Sequence, residues 1–403
     1  MSDFFQSGVV ATFHRLKKYD LSEFEADLAE FGANKGITLV LPSLYSEIHG
    51  PGLKGIVEEL KQVNYLREIV LTLGPADKKQ FNEVKQFFSQ LPQKVSILWN
   101  NGPRFQAIYD DFAKYDLDAG PDGKGRSTWM AYGYILAQKD SRVIALHDCD
   151  IITYSRDMLG WLIYPVASTK LDYEFCKGYY SRITSKMHGR VTRLFVTPLV
   201  RALMKVCGNM DILNYFNSFR YILAGEFSMT TELARINRIP ADWGLEVGVL
   251  AEIYRNCSLP RICQVELCDN YEHKHQELSA EDKSKGLNKM AIDIAKSVFR
   301  TLASEGVIYN DGFFTTLRIA YQREAEDLIT KFRGDATING LDYDKHEEEV
   351  AIGVFSKAIM TAAETILDDP LGPPMIPNWT RVFSAIPDIE YQLSDAVQLD
   401  NQD

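Results

Sequence analysis

Between residues 37 and 146 the chain alternates short apolar runs of strand type with stretches of helical character. No other feature restricts its fold as strongly. The strand-type runs are 37–41 (ITLVL), 68–73 (EIVLTL), 95–99 (VSILW) and 143–146 (VIAL). Between them, 56–63, 77–91 and 128–138 suit helices. Strands that alternate with helices make βαβ units, and successive units build a doubly wound, mostly parallel sheet. Ahead of this lies 1–34, an extension with a helix near 21–31, for which Ser22 is the expected cap and Glu25 its capping-box partner. Past residue 150 the pattern loosens, with a strand near 173–180, a helix near 198–207 and a further strand-like run at 262–267. From 288 onward it is mostly helical: 291–306, 315–332 and 346–369 all carry apolar residues at three- and four-residue spacing. A Pro-rich segment, 369–377, breaks these helices, and the acidic tail after Ser394 is expected to fray.

The fourth strand ends in His147-Asp148-Cys149-Asp150. In an open α/β sheet ligands bind beyond the carboxyl ends of the strands. Two acidic oxygen donors placed there suit a divalent cation that holds a diphosphate. An Asp-x-Asp alone is also common in solvated turns, so its meaning depends on the rest of the chain.

A chain of 403 residues can bury a large core. Its net charge of −11 argues against nucleic-acid or membrane-surface partners, though not against a local basic pocket. No long apolar run occurs, so no membrane-spanning helix is expected, and the N-terminus lacks the layout of a secretory signal. The six cysteines are scattered without a C-x-x-C pair, which fits reduced thiols in a cytoplasmic protein.

Other segments carry candidate chemistry. Pro42-Ser43-Leu44-Tyr45-Ser46-Glu47 follows the first strand and can present backbone groups and a carboxylate to a nucleotide. No G-x-G-x-x-G or G-x-x-x-x-G-K-[ST] loop is present, which disfavours dinucleotide enzymes and P-loop nucleotidases. Gly123-Lys124-Gly125-Arg126 precedes a helix, where flanking glycines would let the backbone approach an anion. Lys177 lies in the run 175–182 (FCKGYYSR). Gly189-Arg190-Val191-Thr192 offers a guanidinium fork, a hydroxyl and exposed amides, a set that suits phosphate or carboxylate. Glu226 follows a strand-like 221–223, and Trp243 with Glu246 opens an apolar helix at 247–254, so a ring and carboxylates can flank a sugar. His273 and His275 are candidate imidazole ligands for an ion already held by a carboxylate. Each has a plainer reading as a polar turn, a helix cap or a solvated side chain.

Taken in order, LPSLYSE, GKGR, HDCD, CKGYYSR, GRVTRL, LAGEFS, DWGLEVGVL and the His273 region resemble the retaining GT-A glycosyltransferases that make glucosyl-3-phosphoglycerate. The resemblance covers about 37–280 and implies a GT-A catalytic domain at 35–285, an N-terminal extension at 1–34 and a helical C-terminal region at 286–403. It implies an NDP-glucose donor, 3-phosphoglycerate as acceptor, Mg²⁺ or Mn²⁺ and a homodimer. Pro42, Ser43, Leu44 and Ser46 or Glu47 would face the nucleotide, and Lys124 the donor. Asp148 would contact the nucleotide sugar, Asp150 would bind the metal, and Cys149 is the small spacer between them on the donor side. Gly189, Arg190, Val191 and Thr192, with Lys177, would hold the acceptor. Glu226, Trp243 and Glu246 would shape the glucose pocket, Asp150, Glu226 and Lys124 being the catalytic candidates.

His273 matches the family's metal-ligating histidine, but Lys274 and His275 stand where the family has an Arg, so His275 stays open as the ligand. Tyr45-Ser46 likewise departs from the family's first loop. Related synthases use GDP-mannose, which keeps a mannosyl-3-phosphoglycerate synthase open. A sugar-nucleotide pyrophosphorylase would need a Gly-rich loop that LPSLYSE lacks. A nucleotide-sugar sensor without catalysis would not need the full set of charged residues.

Overall fold

The computed structural model describes residues 6, 8–16, 20–273, 286–372 and 375–402. Eight strands form one sheet: β1 (Ala11–Phe13), β2 (Ile37–Ser43), β3 (Glu68–Leu73), β4 (Val95–Trp99), β5 (Val143–Leu146), β6 (Phe175–Tyr180), β7 (Phe227–Thr230) and β8 (Ile262–Cys268). Their order is β1-β8-β6-β7-β5-β2-β3-β4. β7 runs antiparallel to β5 and β6, and the other neighbouring pairs are parallel. The helices of the sheet region are α1 (Leu21–Lys35), α2 (Pro51–Leu60), α3 (Lys78–Phe88), α4 (Pro103–Lys114), α5 (Lys124–Gln138), α6 (Arg156–Ala167), α7 (Thr197–Cys207), α8 (Asp211–Ser218), α9 (Thr231–Ile236) and α10 (Leu245–Asn256). The C-terminal region adds α11 (Gly286–Ser304), α12 (Asp311–Ile338), α13 (Lys345–Asp368), α14 (Trp379–Ala385) and α15 (Ile389–Gln402).

Side chains alternate across a strand, and the strand sequences use both faces. Val40, Val70, Leu98 and Ile144 enter one buried cluster, while Leu39, Leu41, Leu71 and Ala145 enter another on the opposite face. This is why these strands read as continuous apolar runs. α11, α12 and α13 contribute Ala295, Leu317 and Phe355 to the same cluster as Val40, so the C-terminal helices share a core with the sheet.

Several local expectations change. Residues 1–34 supply β1, which pairs with β8 at one sheet edge. The cap of α1 is Asp20, whose carboxylate accepts the Ser22 backbone N–H at 2.9 Å. The 221–223 run forms a turn, not a strand. α5 starts at Lys124, so the GKGR run is its first turn, and Gly125 serves close packing: a Cβ there would lie 2.3 Å from the Pro240 carbonyl oxygen. The tail does not fray. α15 packs on β4 and α5, and the Asn401 amide pairs with both backbone groups of Ile97 on the outer strand, at 3.1 and 2.8 Å. Asp400 is fully buried against Arg104. α13 is, by length and composition alone, long and apolar enough to cross a membrane, with mean hydropathy 1.5 over an 18-residue window, where no such segment was expected. Here it packs between α11 and α12.

Candidate active site

β2 and β5 are adjacent and parallel, and the chain leaves their carboxyl ends in opposite directions, toward β3 and toward β6. Such a switch point leaves a crevice between diverging loops. A cavity of about 1330 Å³ opens there. Of the residues expected at a site, Pro42, Ser43, Leu44, Glu47, Lys124, Asp148, Cys149, Asp150, Gly189, Arg190, Val191, Thr192, Trp243, Glu246 and His273 line it.

The centre of the cavity is an ionic triad. Lys124, in the first turn of α5, places Nζ 2.7 Å from Asp148 Oδ1 and 3.2 Å from Glu246 Oε1. Burial alone would pull the Lys124 ammonium down, but Asp148 and Glu246 outweigh it and hold its pKa above the ordinary value. Burial likewise works to raise the Asp148 carboxyl, and the ammonium beside it wins, keeping Asp148 low and ionised. Gly225 admits this geometry, because a Cβ there would sit 2.6 Å from Asp148 Oδ2. Cys149 is a buried thiol whose ionisation burial opposes.

Asp150 stands apart from the triad. Its Oδ2 lies 3.3 Å from His273 Nδ1, and its Oδ1 is enclosed without a hydrogen-bond partner. A bridge between Ile151 and His273 fixes the two segments side by side. A buried carboxylate oxygen with no donor, next to an imidazole, fits a divalent cation. No group of three or more His, Cys, Asp or Glu side chains suited to a metal exists among the described residues. A carboxylate and an imidazole, with a diphosphate and water to complete the shell, would suit Mg²⁺ or Mn²⁺. His275 lies outside the described residues.

Three expected residues do not reach the cavity wall. Ser46 points aside, with Oγ 3.4 Å from Glu47 Oε1, and of the two only Glu47 lines the cavity. Lys177 is fully buried under the floor, donating to the Ala224 carbonyl at 2.6 Å; burial draws its pKa down to about 8. There it is off the cavity wall, within reach of the charges of Glu246, Glu226 and Asp148. Glu226 is also fully buried. Its carboxylate accepts from Tyr180 Oη at 2.8 Å and Tyr271 Oη at 2.6 Å, and burial with nearby Asp148 raises its pKa. The rings of Tyr180 and Tyr271 stack at 3.8 Å and face the cavity, so in this structure Glu226 meets it through their hydroxyls and does not form its wall.

Tyr180, Tyr271, Arg182, Gly225 and residues 342–350 were not singled out in the sequence. Tyr271 could have been found two residues before His273, and Tyr180 and Arg182 within the matching CKGYYSR run. Nothing in the sequence connects 342–350 to the cavity, because tertiary packing alone brings them there.

No family model matches the chain. It is 47% identical over 403 residues, all of both chains, to a glucosyl-3-phosphoglycerate synthase from Persephonella marina. It is 42% identical over 364 residues, 89% of each chain, to one from Methanococcoides burtonii. The glucosyl-3-phosphoglycerate synthase of Mycobacterium tuberculosis, solved with Mn²⁺, UDP and glucosyl-3-phosphoglycerate, superposes with a TM-score of 0.53 at 20% identity, covering 75% of this chain and 90% of that one. The same protein solved with Mg²⁺ and UDP gives 0.52, also at 20% identity, covering 75% of this chain and 89% of that one. The sheet, its switch-point cavity and the Asp-x-Asp at the end of β5 define a glycosyltransferase of the GT-A class. At 47% identity along its whole length, the chain belongs to the glucosyl-3-phosphoglycerate synthase family.

Proposed function

We propose that the protein transfers glucose from an NDP-glucose to the 2-hydroxyl of 3-phosphoglycerate with retention of the α configuration, using Mg²⁺ or Mn²⁺ held by Asp150 and His273. The names of the relatives support glucose over mannose. One observation carries the reading: the partnerless Asp150 Oδ1, with His273 beside it, shares a cavity with the Lys124–Asp148–Glu246 triad and the Gly189–Thr192 loop. The ion, when bound, offsets charge on the diphosphate leaving group.

The side chains do the rest. Lys124 supplies positive charge beside the diphosphate and fixes Asp148 and Glu246, which accept sugar hydroxyl hydrogen bonds. The stacked Tyr180 and Tyr271, locked from behind by Glu226, form a rigid apolar face that excludes water. Asp148 and Glu246 are ion-paired to Lys124 and Glu226 is held by two tyrosine hydroxyls, which favours a route without a covalent nucleophile. A front-face route follows, in which the acceptor hydroxyl attacks on the side the diphosphate leaves, and the departing phosphate oxygen takes its proton. Arg190 and Thr192 orient the anionic acceptor.

An Asp150→Ala protein should lose transfer at saturating metal; full activity would overturn the metal assignment. Assaying UDP-, GDP- and ADP-glucose against 3-phosphoglycerate, with and without Mg²⁺, identifies the base. We also propose a cytoplasmic homodimer without nucleic-acid or membrane partners. Six free cysteines and the net charge of −11 support the compartment and the partner classes. Light scattering on the purified protein tests the dimer.

A further inference from the structure

The acceptor loop is gripped by the C-terminal region. The Asp342 backbone N–H donates to the Ser185 carbonyl at 2.8 Å, and Lys186 bridges Asp342 in parallel. Asp344 then caps α13 and aims its first turn at the loop. Two successive glutamates of that turn, Glu347 and Glu348, line the cavity beside Arg190.

They differ in kind. Glu348 is buried and holds both arginines of the loop: Arg193 Nη1 at 2.8 Å and Nη2 at 3.1 Å, and Arg190 Nε at 3.3 Å. Arg193 is committed further, with Nε donating to the His188 carbonyl at 3.0 Å and its guanidinium 4.9 Å over the Phe332 ring. Glu348 is thus a fixed counter-ion. Glu347 is half exposed, and it accepts from Arg190 Nη2 at 2.8 Å.

We propose that Glu347 is a place-holder for the acceptor: its carboxylate occupies the edge of Arg190 that an anionic group of the acceptor takes over, and it swings into solvent when the acceptor binds. This rests on the reading that Arg190 holds the acceptor. An exposed ion pair is weak and easily exchanged. A phosphate or carboxylate oriented by the neighbouring loop amides and Thr192 makes stronger charge-assisted bonds to the same guanidinium. A doubly charged phosphate replaces a single-charge carboxylate with advantage, so the swap favours phosphorylated over unphosphorylated acids. Glu348 keeps Arg190 in place throughout, which makes α13 a working part of the acceptor site and Glu347 a specificity-determining residue.

The test is steady-state kinetics of the full chain with 3-phosphoglycerate varied at saturating NDP-glucose and metal. Glu347→Gln should lower the acceptor KM by about two- to fivefold with kcat unchanged, the range expected for removing one exposed competing charge. In an Arg190→Ala background the same substitution should have no effect, since the two residues act through one contact. Glu349→Gln, one residue along and paired at 3.0 Å with Lys345, should leave the KM unchanged. The proposal is overturned if Glu347→Gln leaves the KM unchanged or raises it. It is equally overturned if the decrease persists without Arg190, or if Glu349→Gln reproduces it. An Arg190→Ala protein with an unaltered acceptor KM would instead refute the acceptor assignment on which the proposal stands.

Discussion

Replacing Gly225 by alanine should damage catalysis far more than folding. The new methyl would lie 2.6 Å from Asp148 Oδ2 and 3.0 Å from its carboxyl carbon. Ordinary contact begins near 3.4 Å, so the carboxylate must retreat by about 0.8 Å. The backbone cannot yield in its place. Ala224 is held by Lys177 at 2.6 Å and Glu226 by two tyrosine hydroxyls, so the glycine is pinned on both sides. The Asp148 shift stretches its 2.7 Å pair with Lys124 and drags the triad out of register. A displacement near 1 Å in a positioning group costs about 100-fold in rate, or about 2.7 kcal/mol in the barrier. Overpacking costs roughly 1–3 kcal/mol of stability. The assay is kcat/KM for NDP-glucose with thermal melting in parallel: a loss near 100-fold in a protein that still melts cooperatively is expected. A folded Gly225→Ala protein with kcat/KM within about threefold of wild type would refute the reasoning that the Asp148 position limits transfer.

Three further outcomes follow from the same geometry. His147 is fully buried with both ring nitrogens unpartnered, and burial depresses its pKa to about 4 from an ordinary 6.5. The unfolded chain therefore takes up its proton first. The stability His147 contributes is complete above pH 6.5 and is lost as pH falls toward 4, by about 3 kcal/mol. The difference in denaturant midpoint between wild type and His147→Phe should be constant above pH 6.5 and move against wild type as pH falls toward 4, and parallel curves would contradict this. Tyr271→Phe removes a donor from fully buried Glu226 and should cost about 1–3 kcal/mol, read as a lower thermal midpoint. Deleting α15 bares the edge of β4, which Asn401 and the helix now cover, and should produce aggregation measurable by light scattering, whereas Asn401→Ala alone should cost about 1–3 kcal/mol.

The strands of the catalytic half were legible because β2, β3 and β5 are buried on both faces and so are apolar throughout. The antiparallel β7 was not: its Phe227–Thr230 is short, and the neighbouring 221–223 is just as apolar yet turns. The cavity lining was legible where consecutive residues of one segment face it, as in Asp148–Asp150 and Gly189–Thr192. Placement was not legible where a polar side chain turns inward: Glu226 and Lys177 occur in segments that line the cavity but are themselves buried off its wall. The tail illustrates the same limit, since an acidic, polar end looks solvated until Asp400 meets Arg104 and Asn401 meets β4. The contribution of 342–350 was invisible, because only packing of α13 against α11 and α12 carries it to the Gly189–Thr192 loop.

The most direct test of the central claim is to follow one reaction by proton NMR, with NDP-glucose, 3-phosphoglycerate, Mg²⁺ and the purified protein. The account requires a new α-anomeric signal attached to the 2-position of phosphoglycerate, growing in step with released NDP and absent in the Asp150→Ala protein. A β-anomer, free glucose without the phosphoglycerate adduct, or undiminished product from Asp150→Ala would contradict it.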